Sequence, residues 1–439
     1  MVRTDALPLR CNRDLRNLLI SQSLSALGDA FALVAIPLLV LHVSHSVAQM
    51  GLVTGLAGVA SIITGVFSGV IVDRFDRRSL LIICDLARCS LFAAIAVVWL
   101  FTPQLWLIYV VVTLAATFSM IFDVGYVAAV PAIVAEDQIT DANGRLFAAQ
   151  AIASVAGPAL AGVVSGLWGP SAAIGVDAAS FLVSAAGLRL IRLRPTVPVA
   201  AEAAAGARRP SGGHRLLQDL IEGVGFLWRA PVLRALTVAL TIVLFFTTGL
   251  NDLIVYDVVH GLHHSDGAVG IVMAAGTVGT FLGSALVAWV RRRAGFGGAW
   301  IGATALGGLA ISGMGLAGNL PVLAVLAASA QTCIAIGGIA SMSLRQEITP
   351  GHLLGRVTAA FWTVHNALGP AGAALLTAAA AGYGAGPVLA GSGLAVTLTA
   401  LAAIVSPIRR TRPRTTTETT ADAITAQVTG NATARKNSP

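Results

Sequence analysis

Hydrophobic positions in this chain neither alternate nor recur on one helical face. They run unbroken for a helix length at a time, and polar residues are confined to the gaps. About 20 apolar residues suffice to cross a bilayer as a helix. Twelve such runs are read, roughly 17–41, 47–71, 79–101, 104–128, 143–167, 171–191, 233–257, 267–290, 299–317, 320–343, 356–380 and 385–407. The pattern predicts an all-α membrane protein with twelve transmembrane helices in two six-helix pseudo-repeats. The gaps are short except for 192–232, which divides the chain six and six. The expected parts are a cytoplasmic N-terminus (1–16), a six-helix bundle (17–191), a cytoplasmic linker (192–232), a second six-helix bundle (233–408) and a disordered cytoplasmic tail (409–439). The linker opens Pro- and Ala-rich and then places Leu217, Leu220, Ile221, Val224, Leu227 and Trp228 at helical spacing. That spacing predicts an amphipathic helix on the membrane surface, or else an extension of the seventh span.

Arginine fixes an expected orientation. It clusters at the N-terminus, at 74–78, 145, 189–234, 291–293, 345, 356 and 409–414. The gaps around His42, Pro103, Pro170, His264, Asn319 and Tyr383 carry no Lys or Arg. Arg-rich and Arg-free gaps alternate along the chain, the positive-inside pattern with both termini cytoplasmic. Arg10, Arg13 and Arg16 precede a first run long enough to span, which reads as a retained anchor and not a cleaved signal. The stretches 144–162 and 355–374 each begin Gly-Arg and carry Gly-Pro 13 or 14 residues later, six spans apart. The second half therefore reads as a diverged copy of the first.

Composition agrees. Hydrophobic residues make up 56% of the 439 and charged residues 11%, with mean hydropathy +0.82, whereas a soluble chain carries roughly a quarter charged residues. The net charge of +8 is spread over helix ends and forms no basic, aromatic-interleaved face, so no nucleic-acid partner is expected. The four Cys have no metal-ligand spacing, and the three in apolar runs (Cys84, Cys89 and Cys333) read as small core residues. No phosphate-binding loop, nucleophile elbow or His-Glu-x-x-His occurs, which leaves no support for ATP-driven transport or an enzyme.

The segment GVIVDRFDRR (69–78) crowds five charges between the second and third spans. With the six-plus-six layout, it resembles the major facilitator superfamily, whose loop signature is roughly G-x-x-x-D-R-x-G-R-R. Gly69, Asp73, Arg74, Arg77 and Arg78 match, and Asp76 stands where Gly is usual. Residues 123–162, 219–228 and 343–357 are similar to the bacterial branch with macrolide-efflux and enterobactin-export permeases. The resemblance implies that the loop latches the cytoplasmic side, with charges that only set topology as the other reading; Asp73, at the negative end of the second helix's dipole, should have a positive partner in Arg77, Arg78 or the start of the eleventh span near Arg356. It also implies that spans one, four and seven line a central cavity. The matching gap in the second half, WVRRRAGFGG, holds three Arg and no acid, so the latch is expected only in the first. Gly157, Pro158 and Gly162 resemble an exporter motif G-P-x-x-G-G, with Ala161 replacing one Gly; helix packing alone is the other reading of that stretch.

An ionisable residue inside a span costs about 3 kcal/mol or more and is a functional candidate by default. Asp29 and Asp123 are the expected proton-coupling residues, with an interhelical hydrogen bond as the alternative role. Asn251, Asp252, Phe118, Phe122, Trp362 and His365 are expected at the substrate cavity, with core packing as the alternative for the aromatics. Asp177 reads as structural, and Asp85 and Arg88, three apart, as a pair with each other or with the loop cluster. No cavity acid has an obvious lone intramembrane Arg or Lys opposite it, which argues against an organic-anion substrate. His260, His263, His264 and Asp266 read as a wet outer loop, so no metal or cofactor is expected.

These readings point to a secondary transporter exporting an amphipathic small molecule (a drug, siderophore or secondary metabolite) by alternating access and proton antiport. A bacterial cytoplasmic membrane and a monomer are expected. The partners are the substrate, protons and lipids, with anionic headgroups on the cytoplasmic side. An importer of the same fold and a non-transporting sensor or scaffold are the alternatives.

Overall fold

The computed structural model describes residues 12–129, 133–134, 138–191, 212–350 and 353–410. The expectations for the N-terminal stretch before Asn12, the Pro/Ala-rich part of the linker, Pro131 and the tail after Arg410 lie outside the described residues. The described chain is helical, without strands. In order the helices are α1 (Arg13–Ser44), α2 (Val47–Arg74), α3 (Arg77–Trp99), α4 (Leu105–Ala129), α5 (Ile139–Trp168), α6 (Pro170–Arg189), α7 (Gly212–Arg229), α8 (Pro231–Thr247), α9 (Leu250–Tyr256), α10 (Asp266–Met314), α11 (Leu320–Ile348), α12 (Leu354–Asn366), α13 (Gly369–Tyr383) and α14 (Ala385–Ala402). Among the described residues, nine helical stretches are long and apolar enough to cross a membrane. A single π-turn, Asp257–Gly261, prolongs α9.

Helix boundaries follow local chemistry. Asn12, Asp76 and Asn319 cap α1, α3 and α11, their side-chain oxygens accepting from Leu15 N–H (3.0 Å), Ser79 N–H (2.9 Å) and Val322 N–H (3.0 Å). Each cap satisfies a donor that the helix itself leaves open. Pro231 and Pro370 stand in the first turns of α8 and α13, where a missing N–H costs nothing. Inside α10, Gly295 adopts φ +68°, which breaks the rod just past Arg291–Arg293. Only a residue without Cβ takes that conformation without strain.

Two pairs of connections share a backbone geometry. Gly169 closes α5 at φ 83°, ψ 159°, and Gly384 closes α13 at φ 84°, ψ 159°. His45 ends α1 at φ 49°, and His263 precedes α10 at φ 55°. The helix seams are related in the same way. Gly162 of α5 lies against Gly270 of α10, so close that a Cβ on either would fall 2.6 Å from the other's Cα. Gly51, Gly55 and Gly58 of α2 face Thr377, Ala374 and Pro370 of α13. Small residues allow such backbone approach in apolar surroundings.

Buried apolar residues form one large cluster at the Arg-poor end. It joins Phe31–Leu41 of α1, Val47–Val53 of α2, Leu250–Val258 around α9 and Ala268–Met273 of α10. At the Arg-rich end the core is split. One cluster (Leu15, Leu18, Val72, Leu81, Phe122, Leu188) belongs to α1–α6 and their connections. Others (Leu236, Trp300, Leu344; Leu227, Val357, Phe361) belong to α7–α14. The two helix groups therefore seal against each other at one end and stand apart at the other.

The amphipathic linker helix is observed as α7. It is no continuation of the next span, because Ala230 takes an extended conformation (φ −87°, ψ 104°) between α7 and α8. Leu227 is buried with Val357, Ala360 and Phe361 of α12. A Cβ on Gly223 would fall 2.3 Å from the Arg356 carbonyl oxygen, so glycine is what permits this seating.

Candidate functional site: an arginine-centred acid cluster within the first helix group

Arg88 of α3 organises the site. Its side chain is 3% exposed, and it donates to Asp85 Oδ1 at 2.5 Å and to Ser119 Oγ at 3.1 Å. A second nitrogen lies 3.7 Å from Asp29 Oδ1. The guanidinium is held between two rings, 4.6 Å from the centroid of Phe122 and 4.1 Å from that of Phe181. Such stacking suits the planar, weakly hydrated guanidinium better than an ammonium. Asp85 is fully buried, so the pair compensates charges that would be costly alone. Asp29 is 51% exposed and Asp123 is exposed as well. Asp177 of α6 is fully buried, close to Gly28: a Cβ there would lie 2.6 Å from Asp177 Oδ1. Neither Asp177 oxygen has a hydrogen-bond partner among the described residues.

The Asp85–Arg88 pair agrees with the i, i+3 spacing. The absence of an intramembrane cation opposite the cavity acids does not hold: Arg88 faces Asp29, and the argument against anionic substrates that rested on it falls. The reason is geometric. Spacing along α3 shows the neighbour at Asp85 but not what α1 brings across. Arg345 of α11 is a second buried cation, 4% exposed, with its Cζ 3.5 Å from the centroid of Phe361.

Other expected cavity residues fall in three places. Phe122 is 2% exposed and stacks on Tyr126 (6.2 Å between centroids), with Phe118 half-buried against the same cluster. Trp362 is 47% exposed, tilted against His365 at 5.6 Å, and His365 stacks on Phe361 at 5.1 Å. Asn251 is half-buried. Asp252 is 2% exposed and accepts from Thr54 Oγ1 at 2.7 Å, which sets it in the sealed seam between α2 and α9.

In the 69–78 segment, Arg78 Nε donates to the Leu188 carbonyl at 3.2 Å and Nη2 donates to the Arg189 carbonyl. A cation on the last carbonyls of α6 answers the negative end of its dipole. Arg74 is exposed and Arg77 half-buried. Gly69 lies in α2 and Asp73 in its last turn, but the Asp73 side chain is outside the described set. Arg356 pairs with Glu222 of α7 at 2.7 Å. In the second group Arg291 finds its acid at a distance in sequence, donating to both oxygens of Glu347 at 2.9 and 3.2 Å.

Gly157 meets α1, where a Cβ would fall 2.4 Å from Ala30 Cβ, and Pro158 lies within α5, one turn before Gly162 at the α10 seam. At the His-bearing loop, His42 Nε2 of the first group lies 3.4 Å from Asp266 Oδ1 of the second. His260 stacks on Tyr256 at 4.8 Å. Among the described residues, no group of three or more His, Cys, Asp or Glu could hold a metal.

Long apolar helices around a partly split interior, with the buried Asp85–Arg88 pair inside it, define a polytopic helical membrane protein. The sequence profile of the Major Facilitator Superfamily matches residues 18–374, and the chain belongs to that family. It is therefore a transporter of a small-molecule-carrying family and not an enzyme. The chain is 25% identical to the multidrug efflux pump Tap of Mycolicibacterium fortuitum, over 85% of this chain and 88% of Tap. It is 26% identical to the enterobactin exporter EntS of Citrobacter koseri, over 78% and 79%. Two matches span about half of the relative's own length. They are the uncharacterized MFS-type transporter YfiS of Bacillus subtilis (26% identity, 54% of each chain) and macrolide efflux protein A of Streptococcus pyogenes (23%, 53% of this chain and 55% of that one). Among solved structures, the nucleoside transporter NupG superposes with a TM-score of 0.71 at 13% identity, covering 88% of this chain and 97% of NupG. That likeness concerns the fold alone.

Proposed function

We propose that this chain exports an amphipathic small molecule by alternating access, driven by inward proton movement. On this reading it crosses the bilayer twelve times, as two six-helix halves, 17–191 and 233–408, with 192–232 between them. The chain's broken rods support the count: α8 with α9, the two limbs of α10, and α12 with α13 each supply crossings that helix boundaries conceal. The paired loop geometries at Gly169/Gly384 and His45/His263 support the duplication. Arg-rich gaps set both termini in the cytoplasm. The gap between the halves then opens inward, at the Arg-rich end that carries 69–78 and Arg356.

The single observation that carries the coupling is the Asp29–Arg88 contact. Arg88 is buried between fixed partners, whereas Asp29 is half exposed. Asp29 can therefore exchange Arg88 for a proton, or for a cationic group of the substrate, without disturbing Asp85. Rocking of the halves would change its access from one side to the other. Asp123, exposed on the same side, is the second proton-coupling residue. Efflux by Tap, EntS and macrolide efflux protein A supports the export direction.

The test is substrate-induced proton movement in oriented vesicles, wild type against Asp29→Asn. Wild type should exchange substrate for protons in opposite directions, and the variant should lose the pH dependence. Protons and substrate moving together would instead establish import, and a variant that matches wild type at every pH would remove Asp29 from coupling.

A further inference from the structure

A cavity of about 140 Å³ lies inside the second helix group, between α8, the second limb of α10, α11, α12 and α14. Its walls are mostly apolar, with Leu240, Val243, Ile311, Ile334 and Val396 among them. Thr247, Thr304 and Cys333 also line it, and two further polar groups stand on the wall buried and unpartnered among the described residues. Trp300 is fully buried, and its Nε1–H has no hydrogen-bond partner among the described residues; His365 Nδ1 is buried and also without one there. Buried indole N–H groups normally find a partner, so an unpaired one on a cavity wall asks for an oxygen from outside the chain. The adjoining wall is cut back at that point. Residue 337 is glycine, and a Cβ there would meet Thr304 Oγ1 at 3.6 Å and Trp300 Nε1 at 3.9 Å, ordinary contact distances, so a branched side chain such as Val would fill the space beside the indole nitrogen. Gly338 beside it meets nothing.

We infer that this cavity is a subsite for one hydroxylated aromatic ring, a phenol. Size sets the ring: an apolar cavity of about 150 Å³ in another protein takes up benzene. The polar atoms set the substituent. A phenolic oxygen accepts from Trp300 Nε1–H, and the same hydroxyl donates to His365 Nδ1 in one imidazole tautomer or accepts from it in the other. The Arg345 guanidinium above Phe361, itself stacked on His365, keeps this corner electropositive and favours an oxygen over an ammonium. The assignment deepens the transporter reading and rests on it for its role: the phenolic end of an amphipathic substrate would seat here, and its cationic part would face Asp29 and Asp123.

The experiment needs binding only, so it separates from any failure of transport. Full-length protein in nanodiscs is titrated with 4-fluorophenol and with its near-isostere 4-fluorotoluene, observed by fluorine NMR against empty nanodiscs. Wild type should bind the phenol about tenfold more tightly, the discrimination one buried hydrogen bond supplies. Trp300→Phe should keep 4-fluorotoluene binding and lose the preference. Gly337→Val, on another helix, should lose both probes while remaining monodisperse. Equal affinities in wild type, a preference that survives Trp300→Phe, or unchanged binding in Gly337→Val would each overturn the assignment.

Discussion

Thr54 Oγ1 donates to Asp252 Oδ2 at 2.7 Å, joining residues 198 apart in sequence and lying in different helix groups. Asp252 is almost fully buried there, and an acceptor left unpaired in such a place costs about 1–3 kcal/mol. Thr54→Val keeps the side-chain shape and removes the donor. It should shift the equilibrium toward states open at the Arg-poor end by roughly 5- to 150-fold on that estimate. Labelling of cysteines introduced along α2 or α9 should accelerate accordingly, and an unchanged rate would show that the bond does not hold the seam.

Glycine pairing at the α5–α10 seam makes a related prediction by a different force. A Cβ on Gly162 would fall 2.6 Å from Gly270 Cα, backbone that cannot yield locally. Gly162→Ala should therefore separate the helices, and a larger residue such as Val more so. Overpacking of this kind typically costs about 1–3 kcal/mol. Because the strain exists only in the sealed state, it should appear as a conformational shift with near-normal thermal stability. Double electron–electron resonance across α5 and α10 should report a longer distance; an unchanged distribution would place the seam's tolerance elsewhere.

Arg88 should behave as structure, and Asp29 should not. Removing Arg88 as Arg88→Leu leaves Asp85 buried without its cation, a change that destabilises by about 3–5 kcal/mol. The double variant Asp85→Leu/Arg88→Leu should recover most of that loss, since a buried pair is often replaceable by apolar residues of similar volume. Asp29→Asn should leave the melting temperature within a few degrees of wild type. Thermal unfolding in detergent measures all three, and a double variant no better than Arg88→Leu would mean that the ring contacts with Phe122 and Phe181 matter more than the charge.

Apolar runs make the helices legible from the chain alone, because a backbone in hydrocarbon must bond to itself. The pairs that form across helices are not legible in the same way. The i, i+3 spacing predicts Asp85–Arg88, but nothing along the chain links Asp29 of α1 to α3, Thr54 to Asp252, Arg291 to Glu347, or His42 to Asp266. The aromatic spacing of Phe118, Phe122 and Tyr126 fits a cavity wall and a packed core equally. The fold puts Phe122 under Arg88 and out of reach of the gap. Trp300 carries no signal in the sequence, since an indole in an apolar run is ordinary; only its unpaired N–H on a cavity wall sets it apart.

The departure of Asp76 from the family's loop signature has a local cause and a pH consequence. Its carboxylate caps α3, and hydrogen bonds from Ser79, the backbone N–H first, hold the carboxyl below the usual carboxylate range. A depressed folded value means that the cap's contribution is present above the unfolded value of about 4. It is lost as pH falls through the folded one. Asp76→Ala should cost about 1 kcal/mol at neutral pH, and Asp76→Gly, the family's usual residue, only about a few tenths of a kcal/mol. As pH falls through the folded value, wild type and Asp76→Ala should converge. Unfolding measured in detergent from pH 7 downward checks this, and a constant difference across the range would show that the carboxylate's charge plays no part in the cap.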